Sequence, residues 1–374
     1  MGLYIGIMSG TSLDGVDTLL CEIGDDGAPR YLHHLNTPFP AELQTTLRKL
    51  CQPGNNEIEL LGRADRALAT LYADSVKQLL ASASLNAPQI EAIGCHGQTI
   101  RHRPPTPEQA ASTAFTLQIG DPNTLAARTG ICVVADFRRR DIAEGGQGAP
   151  LAPAFHRAVF ASPTHDRAVI NIGGMANLTL LPVNGPCTGF DTGPGNVLMD
   201  GWIKQHNGQA FDDRGLFAAS GKVDAPLLDQ LLSHPYFANR QGPRSTGRED
   251  FDLKQLIAII DQTDRDIAPE NVQATLLELT AQSIARPLQA LSPGPNEIYV
   301  CGGGAFNTAL MQRLESLLHP AQIASTASLG ADPQHVEGLA FAWLAYRRLR
   351  GLSGNLPSVT GAAREVPLGA VFPP

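Results

Sequence analysis

The hydrophobic and polar positions of the chain follow two periods, one typical of strands and one typical of helices. Two apolar runs of strand length, residues 3–8 and 18–23, flank a glycine-containing turn and predict a β-hairpin. Residues 57–82 then carry apolar side chains at helical spacing, and short strands are predicted at 92–95 and 131–135. Strands that alternate with helices in this way indicate an α/β fold.

The second half of the chain repeats this order of elements. A polar, proline-containing stretch at 162–167 precedes a strand at 168–172, a glycine turn and a second strand at 178–181. Helical spacing returns at 272–291, a short apolar strand is predicted at 297–301 just before three glycines, and a last helix is predicted at 337–349. A duplicated α/β unit that begins with a hairpin indicates two similar lobes facing a cleft, where ligands usually bind.

These changes of pattern predict where the domains divide. We expect an N-terminal lobe at 1–165 and a C-terminal lobe at 166–336, followed by a segment at 337–374 in which a helix packs back across the junction and a loop-like tail ends the chain. The Ala- and Leu-rich helix at 272–291 has two alternative uses, a homodimer face or core packing, and core packing is the commoner one. The sequence leaves the oligomeric state open.

Composition and charge narrow the classes of function. The net charge is −8 and the pI is about 5.7, so neither nucleic acid nor an anionic membrane is favoured as a partner. No apolar run approaches the length that spans a bilayer, and the N-terminus lacks the basic and apolar regions of a signal peptide. The six cysteines are scattered and form no CxxC pair. We therefore expect a cytoplasmic protein with small-molecule partners.

The turn of the first hairpin is a candidate cradle for phosphate groups. Its residues are Gly10, Thr11, Ser12, Leu13, Asp14, Gly15, Val16 and Asp17. Glycine lets backbone approach a ligand closely, the two hydroxyls add donors for an anion, and the two carboxylates are candidate Mg²⁺ ligands. The alternative is an ordinary hairpin built on an Asp-Gly turn, and the turn alone does not decide between the two. The Gly-Lys-Ser/Thr ending of a Walker A loop is absent.

Two further glycine turns favour the phosphate interpretation. The second is formed by Asn171, Gly173 and Gly174, and the third by Gly302, Gly303, Gly304 and Asn307. Glycine turns at the heads of two lobes suit a clamp on a polyphosphate, and the third lets a flat ring or a phosphate lie against backbone. The alternative for the third is a tight packing turn, which three successive glycines make costly in conformational entropy.

Several segments together resemble one enzyme family. They are 8–17 (MSGTSLDGVD), 95–99 (CHGQT), 135–141 (ADFRRRD), 145–151 (GGQGAPL), 189–196 (GFDTGPGN) and 245–249 (STGRE), and the match extends to Glu337-Gly338. In these segments, and in the order of its three glycine turns, the chain resembles the anhydro-N-acetylmuramic acid kinases of the actin, Hsp70 and sugar-kinase ATPase superfamily. The resemblance implies two RNase H-like lobes around a central cleft, with ATP and Mg²⁺ as cofactors.

The same resemblance implies a reaction and a catalytic residue. The expected reaction converts 1,6-anhydro-N-acetylmuramic acid and ATP to N-acetylmuramic acid 6-phosphate and ADP in peptidoglycan recycling. Asp191 is then the base that deprotonates a water attacking C1, which frees O6 to attack the γ-phosphate. From the residues alone, a loop aspartate that caps the next helix is the favoured reading of Asp191. The superfamily's usual acidic residues are replaced by Met8 and Asn171, so Asp14 and Asp17 are the remaining metal candidates.

A muramic acid carries a lactyl carboxylate, so its site is expected to contain a cation. Arg138, Arg139 and Arg140 are the candidates, because guanidinium binds carboxylate in a bidentate fork. We expect one or two of them, Arg138 and Arg139 foremost, to face the sugar and the rest to form structural ion pairs. The alternative is a solvated basic face, which is the usual role of such a run.

Three other side chains are candidates for the sugar site. His96 and Gln98 follow a short strand and offer hydrogen bonds to sugar hydroxyls, although a buried structural role is as good a reading of the histidine. Glu337 begins the last helix, where it contacts the sugar or simply favours the helix N-terminus. Two further hypotheses stay open: an ATP-driven clamp like actin or Hsp70, and a kinase for a different amino sugar.

Overall fold

The computed structural model describes residues 1–10, 13–105, 111–238 and 250–374. By their contacts the residues divide into two units, and strands and helices are numbered here in chain order through both. Unit 1 consists of Met1–Val159 together with His335–Pro374, and unit 2 consists of Phe160–Gln334. Each unit is a mixed α/β structure built on one sheet.

Unit 1 begins with a three-stranded antiparallel meander. The meander consists of the first three strands, and the strands of unit 1 are β1 (Gly2–Ser9), β2 (Gly15–Ile23), β3 (Pro29–Pro38), β4 (Ile90–Arg103), β5 (Phe115–Ile119), β6 (Val133–Ala135) and β12 (Ala370–Phe372). Its helices are α1 (Ala41–Leu50), α2 (Glu57–Ser82), α3 (Pro122–Thr129), α4 (Arg139–Ala143), α5 (Ala152–Phe160), α12 (Val336–Leu349) and α13 (Pro357–Thr360). The sheet order is β12-β6-β4-β1-β2-β3, with β5 also paired to β4. β4 runs parallel to β1 and to β6.

Helices cover both faces of this sheet. The side chains on both faces of the inner strand β1 are therefore buried, and its sequence is a nearly continuous apolar run. The core between the sheet and α2 includes Ile5, Ile7, Leu68 and Tyr72, all fully buried. On the other side, α12 lies against β1 and β4. The two backbones meet so closely that a Cβ atom on Gly6 would come within 1.9 Å of the Gly338 carbonyl oxygen.

Unit 2 repeats the hairpin-first scheme in an uninterrupted stretch of chain. Its strands are β7 (Arg167–Ile172), β8 (Met175–Leu181), β9 (Thr188–Pro194), β10 (Glu297–Cys301) and β11 (Gln322–Ser325). Its helices are α6 (Val197–Asn207), α7 (Leu216–Ser220), α8 (Ala225–Leu232), α9 (Leu253–Gln262), α10 (Pro269–Gln289) and α11 (Thr308–Leu318). The sheet order is β11-β10-β7-β8-β9, and α10 is buried along most of its length.

The two units share one topology. In each, three antiparallel strands are followed by two parallel strands added beside the first, giving the orders β3-β2-β1-β4-β6 and β9-β8-β7-β10-β11. The predicted fold class, a duplicated α/β lobe that begins with a hairpin, is thereby confirmed. The predicted helix at 57–82 coincides with α2, and the predicted strand at 297–301 coincides with β10.

Some strands are longer than the sequence predicts, and others were not predicted. The strand predicted at 92–95 extends as β4 to Arg103, because its polar second half pairs with β5. The tail was expected to be loop-like, yet β12 pairs antiparallel with β6 and joins the sheet of unit 1. Within the described ranges all six cysteines are free, and no helix there combines the length and apolarity needed to cross a bilayer.

Candidate active site

The first hairpin turn is tied to β4. Gln98 Nε2 donates to the carbonyl of Gly10 at 3.1 Å, and the amide of Leu13 donates to the same carbonyl at 3.3 Å. Leu13 has a φ of 57°, so the turn reverses through the left-handed region. Thr11 and Ser12, which were predicted to donate to phosphate, lie outside the described residues.

Other predicted cradle residues are used by the fold of unit 1. The side chains of Leu13 and Val16 are buried in the core, so only their backbone is available to a ligand. A Cβ on Gly15 would lie 2.7 Å from the Thr37 carbonyl oxygen, which means that close pairing of β2 with β3 already requires glycine at this position. These residues remain ATP-site predictions for their backbone atoms alone.

The two candidate metal ligands have different surroundings. Asp14 is exposed, whereas Asp17 is half-exposed on β2 and faces β3. The carboxylate of Asp17 accepts a hydrogen bond from Asn36 Nδ2 at 2.9 Å and lies 3.5 Å from His34 Nε2. Over the described ranges, no three His, Cys, Asp or Glu side chains cluster as a metal site would require.

His96 and Arg138 form the polar centre of unit 1. The Nε and Nη2 atoms of Arg138 lie 3.1 and 2.9 Å from His96 Nε2, and its Nη1 donates to the Gly148 carbonyl at 2.9 Å. A guanidinium has only donors, so His96 Nε2 accepts and the imidazole carries its proton on Nδ1. Burial and the positive charge of Arg138 hold the pKa of His96 well below its usual range, against a weaker effect from backbone of Gly97 and Ser9. His96 is therefore neutral at pH 7.

Two buried polar atoms beside this centre make no hydrogen bond within the described residues. They are His96 Nδ1 and Gln98 Oε1, on side chains that are 5% and 0% exposed. Buried polar groups nearly always have partners, because an unsatisfied one costs on the order of 1–3 kcal/mol. A donor and an acceptor left open two residues apart on one strand indicate a polar ligand.

The structure separates the members of the arginine triplet. Arg140 is exposed and pairs with Glu144 at 2.8 Å, which is the structural ion pair expected of at least one member. Arg139 is also exposed and lies 3.5 Å from Asp136. Arg138 is partly buried, and desolvation lowers its pKa to about 10, opposed by the negative charges of Glu337 and Asp141. Glu337 itself is exposed in the first turn of α12.

A cavity of about 280 Å³ opens in unit 1 beside these groups. It lies beside the middle of β4 and the end of β6. Its polar lining includes His96, Arg139, Asp136, Asp65 and Gln118. Asp65 and Gln118 were not predicted, because one lies inside a long helix and the other on a strand without a recognisable motif.

Asp191 occupies a strand in unit 2, which corrects the expectation of a loop. It lies in β9, directly opposite Asn177 of β8, and its backbone carbonyl accepts from the Tyr236 hydroxyl at 2.6 Å. The N-cap of α6 is Asn196, so Asp191 does not have the capping role that its residue type alone favoured. The glycines around it pair as strand residues instead of forming a free turn.

The second glycine turn supports the start of α6. The carbonyl of Gly173 accepts from Asn196 N at 2.8 Å, and that of Gly174 accepts from Gly195 N at 2.9 Å. The third glycine turn lies directly beside it: a Cβ on Gly302 would come within 2.5 Å of Asn171 Oδ1. The two predicted nucleotide turns of unit 2 are therefore adjacent in space.

A second cavity of about 400 Å³ lies next to the third glycine turn and entirely within unit 2. Gly303 and Asn307 line it, and Asn307 also caps α11 through its side chain. Two aromatic rings that the sequence reading missed, Phe211 and Phe306, line the same cavity and are 61% and 50% exposed. An aromatic residue two positions after three successive glycines was the available signal for Phe306.

One segment of the resemblance, Ser245 to Glu249, lies outside the described residues.

Comparison with known proteins shows which family the whole chain resembles. The family model of anhydro-N-acetylmuramic acid kinase matches residues 2–374. A protein of that name from Saccharophagus degradans is 50% identical over 100% of this chain and 99% of its own length. One from Shewanella loihica is 52% identical over 99% of this chain and 98% of its own length. The chain belongs to the anhydro-N-acetylmuramic acid kinase family.

Proposed function

We propose that this protein uses ATP to open and phosphorylate 1,6-anhydro-N-acetylmuramic acid, releasing N-acetylmuramic acid 6-phosphate and ADP. The observation that supports this most strongly is the family match along the full length of the chain, with relatives of that name about half identical in sequence. The reaction belongs to peptidoglycan recycling, and its dependence on ATP, together with the free cysteines of the structure, favours the cytoplasm.

Asp191 is the proposed general base. The substrate has no free 6-hydroxyl, because O6 is bonded to C1 in the anhydro bridge. A water that loses its proton to the Asp191 carboxylate attacks C1 and breaks the C1–O6 bond. O6 then forms its new bond to the γ-phosphorus as the bond to ADP breaks. Hydrolysis and phosphoryl transfer are thus coupled through one oxygen.

Arg138 is the proposed partner of the lactyl carboxylate, with Arg139 as the second cation. The contacts of Arg138 to His96 and Gly148 use three of its five N–H groups, which leaves one on each terminal nitrogen. Two parallel N–H groups are what a carboxylate binds in a fork. His96 Nδ1–H is then a donor, and Gln98 Oε1 and the Glu337 carboxylate are acceptors, for the sugar's amide and hydroxyl groups.

The unit 2 cavity is the proposed adenosine site. Phe211 and Phe306 offer faces for stacking of a purine, and Gly303 lets the ring lie against backbone. The glycine turns at Gly173 and Gly10 are the proposed phosphate contacts. Mg²⁺ would accompany ATP at these turns and would neutralise the charge of its phosphates. Asp14 and Asp17 remain the protein's candidates for contacts to its water shell.

A panel of sugars tests this proposal. ADP formation should occur with 1,6-anhydro-N-acetylmuramic acid and be negligible with N-acetylmuramic acid or N-acetylglucosamine, which lack the bridge. Equal rates with and without the bridge would point instead to an ordinary amino-sugar kinase. ATPase activity that needs no sugar would support a clamp protein.

A variant tests the base. Asp191→Asn should keep its affinity for ATP while kcat falls by on the order of 10³-fold, since the amide does not accept the proton. Asp229→Asn, the same change at an exposed position of α8, is the matched control and should retain full activity. Turnover by Asp191→Asn within a few-fold of the parent would remove this residue from the mechanism.

A further inference from the structure

Asp141 is a fully buried carboxylate in α4 that the proposed chemistry does not use. Its relative exposure is 0%, and the described residues place no lysine or arginine in an ion pair with it. Burying an unpaired carboxylate is costly unless hydrogen bonds compensate. Here three donors do so: Gly148 N at 2.7 Å, Asn355 Nδ2 at 2.8 Å and Thr360 Oγ1 at 2.8 Å.

The glycine-rich segment at 145–148 is shaped by this carboxylate. A Cβ on Gly146 would lie 2.2 Å from Asp141 Oδ2, so the chain passes too close for any side chain at that position. Gly145 and Gly148 have φ values of 85° and 69°, in the left-handed region. The glycines that the sequence reading assigned to the family pattern therefore serve the approach of backbone to Asp141.

The peptide of Gly148 links Asp141 to Arg138. Its N–H donates to the Asp141 carboxylate, and its carbonyl accepts from Arg138 Nη1 at 2.9 Å. Arg138 in turn holds His96 through Nε and Nη2. A shift of the Gly148 peptide would thus rotate the guanidinium and alter the two N–H groups that it leaves open.

The far side of Asp141 is held by the C-terminal segment of the chain. Asn355 uses its Nδ2 on Asp141 and its Oδ1 to accept from Val366 N at 2.8 Å. Thr360 donates to Asp141 through its hydroxyl and accepts from Gln147 N through its carbonyl. The C-terminal segment therefore closes a hydrogen-bonded network that ends on the guanidinium.

We propose that Asp141 is a positioning residue that orients Arg138 for the carboxylate of the sugar, and that Asn355 and Thr360 hold it in place. This proposal rests on the proposed function, in which Arg138 binds the lactyl group. It assigns substrate specificity in part to residues of the chain's last segment, which the family pattern of the sugar site does not include.

The test is a comparison of KM values for the anhydro sugar and for ATP in the full-length protein. Asp141→Asn turns one acceptor into a donor, which faces either Asn355 Nδ2 or Gly148 N according to how the amide is oriented, so the network loses a hydrogen bond in both cases. We expect KM for the sugar to rise by on the order of 10-fold and KM for ATP to stay unchanged. The combined Asp141→Asn, Asn355→Asp variant restores a donor–acceptor pair at the same net charge and should lower the sugar KM again, although it gives up the hydrogen bond from Asn355 Nδ2 to the Arg364 carbonyl.

Two further variants separate positioning from loss of stability. Glu144→Gln removes the surface ion pairs with Arg140 and Arg364 from the same segment without touching Asp141, and its sugar KM should match the parent. Thr360→Val deletes one of the three donors to Asp141. We expect it to raise KM for the sugar by about 3-fold, a milder effect that can be measured even where Asp141→Asn folds poorly. All measurements are made below the unfolding temperature of each variant.

The outcomes distinguish this proposal from the proposed function. If Arg138→Lys raises the sugar KM but neither Asp141→Asn nor Thr360→Val does, the positioning role is wrong and the function stands. If Arg138→Lys leaves the sugar KM unchanged, the assignment of the lactyl site is wrong. A rise that the Asn355→Asp exchange fails to reverse would also overturn the network as the cause.

Discussion

Gly94 of β4 sits beneath α12, and adding one methyl group there tests how the sheet and this helix pack. In the Gly94→Ala protein, the new Cβ would lie 2.0 Å from the carbonyl oxygen of Phe341. Real Cβ atoms essentially never approach another heavy atom closer than 3.0 Å. The obstacle is the backbone of a helix, which does not rotate away as a side chain would. The helix must therefore move off the sheet by about 1 Å.

The magnitude follows from what that movement disturbs. Ten residues of α12 are buried, among them Phe341, Trp343 and Tyr346, and their contacts with the sheet loosen together. Overpacking of a well-filled core costs about 1–3 kcal/mol, and the upper end applies where the obstruction is backbone. For a unit of this size, a loss of about 3 kcal/mol lowers Tm by roughly 6–12 °C.

The assay is thermal unfolding followed by circular dichroism, with Gly62→Ala as the matched control. Gly62 lies at an exposed position in the second turn of α2, and a Cβ there would meet nothing within 4 Å. The same chemical change should raise stability there by about 0.5–1 kcal/mol, because alanine loses less conformational entropy in a helix than glycine does. If Gly94→Ala unfolds at or above the parent temperature, the close backbone contact described for β4 and α12 is wrong.

Two further predictions concern nucleotide binding and pH. Phe306→Ala should raise KM for ATP roughly 10-fold through lost stacking and leave KM for the sugar unchanged, whereas Phe306→Tyr should keep both KM values near those of the parent. An unchanged KM for ATP in Phe306→Ala would show that the purine binds elsewhere. Burial lowers the pKa of His156 to about 3 and, with the charges of Arg138 and Arg103, that of His102 to about 4. Below pH 6.5 the unfolded chain therefore binds protons that the folded chain does not, so stability is complete above pH 6.5 and falls as the pH drops toward these values. Each histidine should contribute about 1.4 kcal/mol of loss per pH unit, measured by urea unfolding between pH 7 and 5; an equal free energy of unfolding at both ends of that range would contradict the burial of these rings.

The parts of the fold that the sequence predicted well are those with strong periodicity. Helix α2 was predicted with its observed bounds, because its apolar positions repeat at helical spacing over 26 residues. Strand β10 was equally clear, since a short apolar run ends at three glycines. Both patterns are local, so no knowledge of partners was needed.

The strands that were missed are polar or depend on distant partners. β9 contains two glycines, a proline and Asp191, a composition typical of a loop, and it is a strand only because β8 lies beside it. β12 is a three-residue strand near the end of the chain, and its partner β6 is more than two hundred residues earlier. Pairing of this kind leaves no periodic trace in the sequence.

The candidate site shows the same division. His96, Gln98 and Arg138 were proposed from short motifs, and the structure brings His96 and Arg138 into direct contact. The connection of Arg138 to Asp141 through Gly148 could not be predicted, because an aspartate in an Arg-rich segment is usually interpreted as a surface ion-pair residue. Whether the carboxylate pairs with arginine or with Gly148 N and Asn355 is decided only by the fold.

The split of unit 1 between the two ends of the chain has a consequence for its synthesis. Strands β1 and β4 leave the ribosome early, but α12, which covers one face of their sheet, is made near the end of synthesis. At roughly 5–20 residues per second, the interval between Val159 and Leu349 is roughly 10–40 s. Unit 2 is continuous and can complete its fold within that interval. The nascent chain therefore carries one finished unit beside a sheet with an uncovered apolar face, which is the kind of surface that chaperones bind.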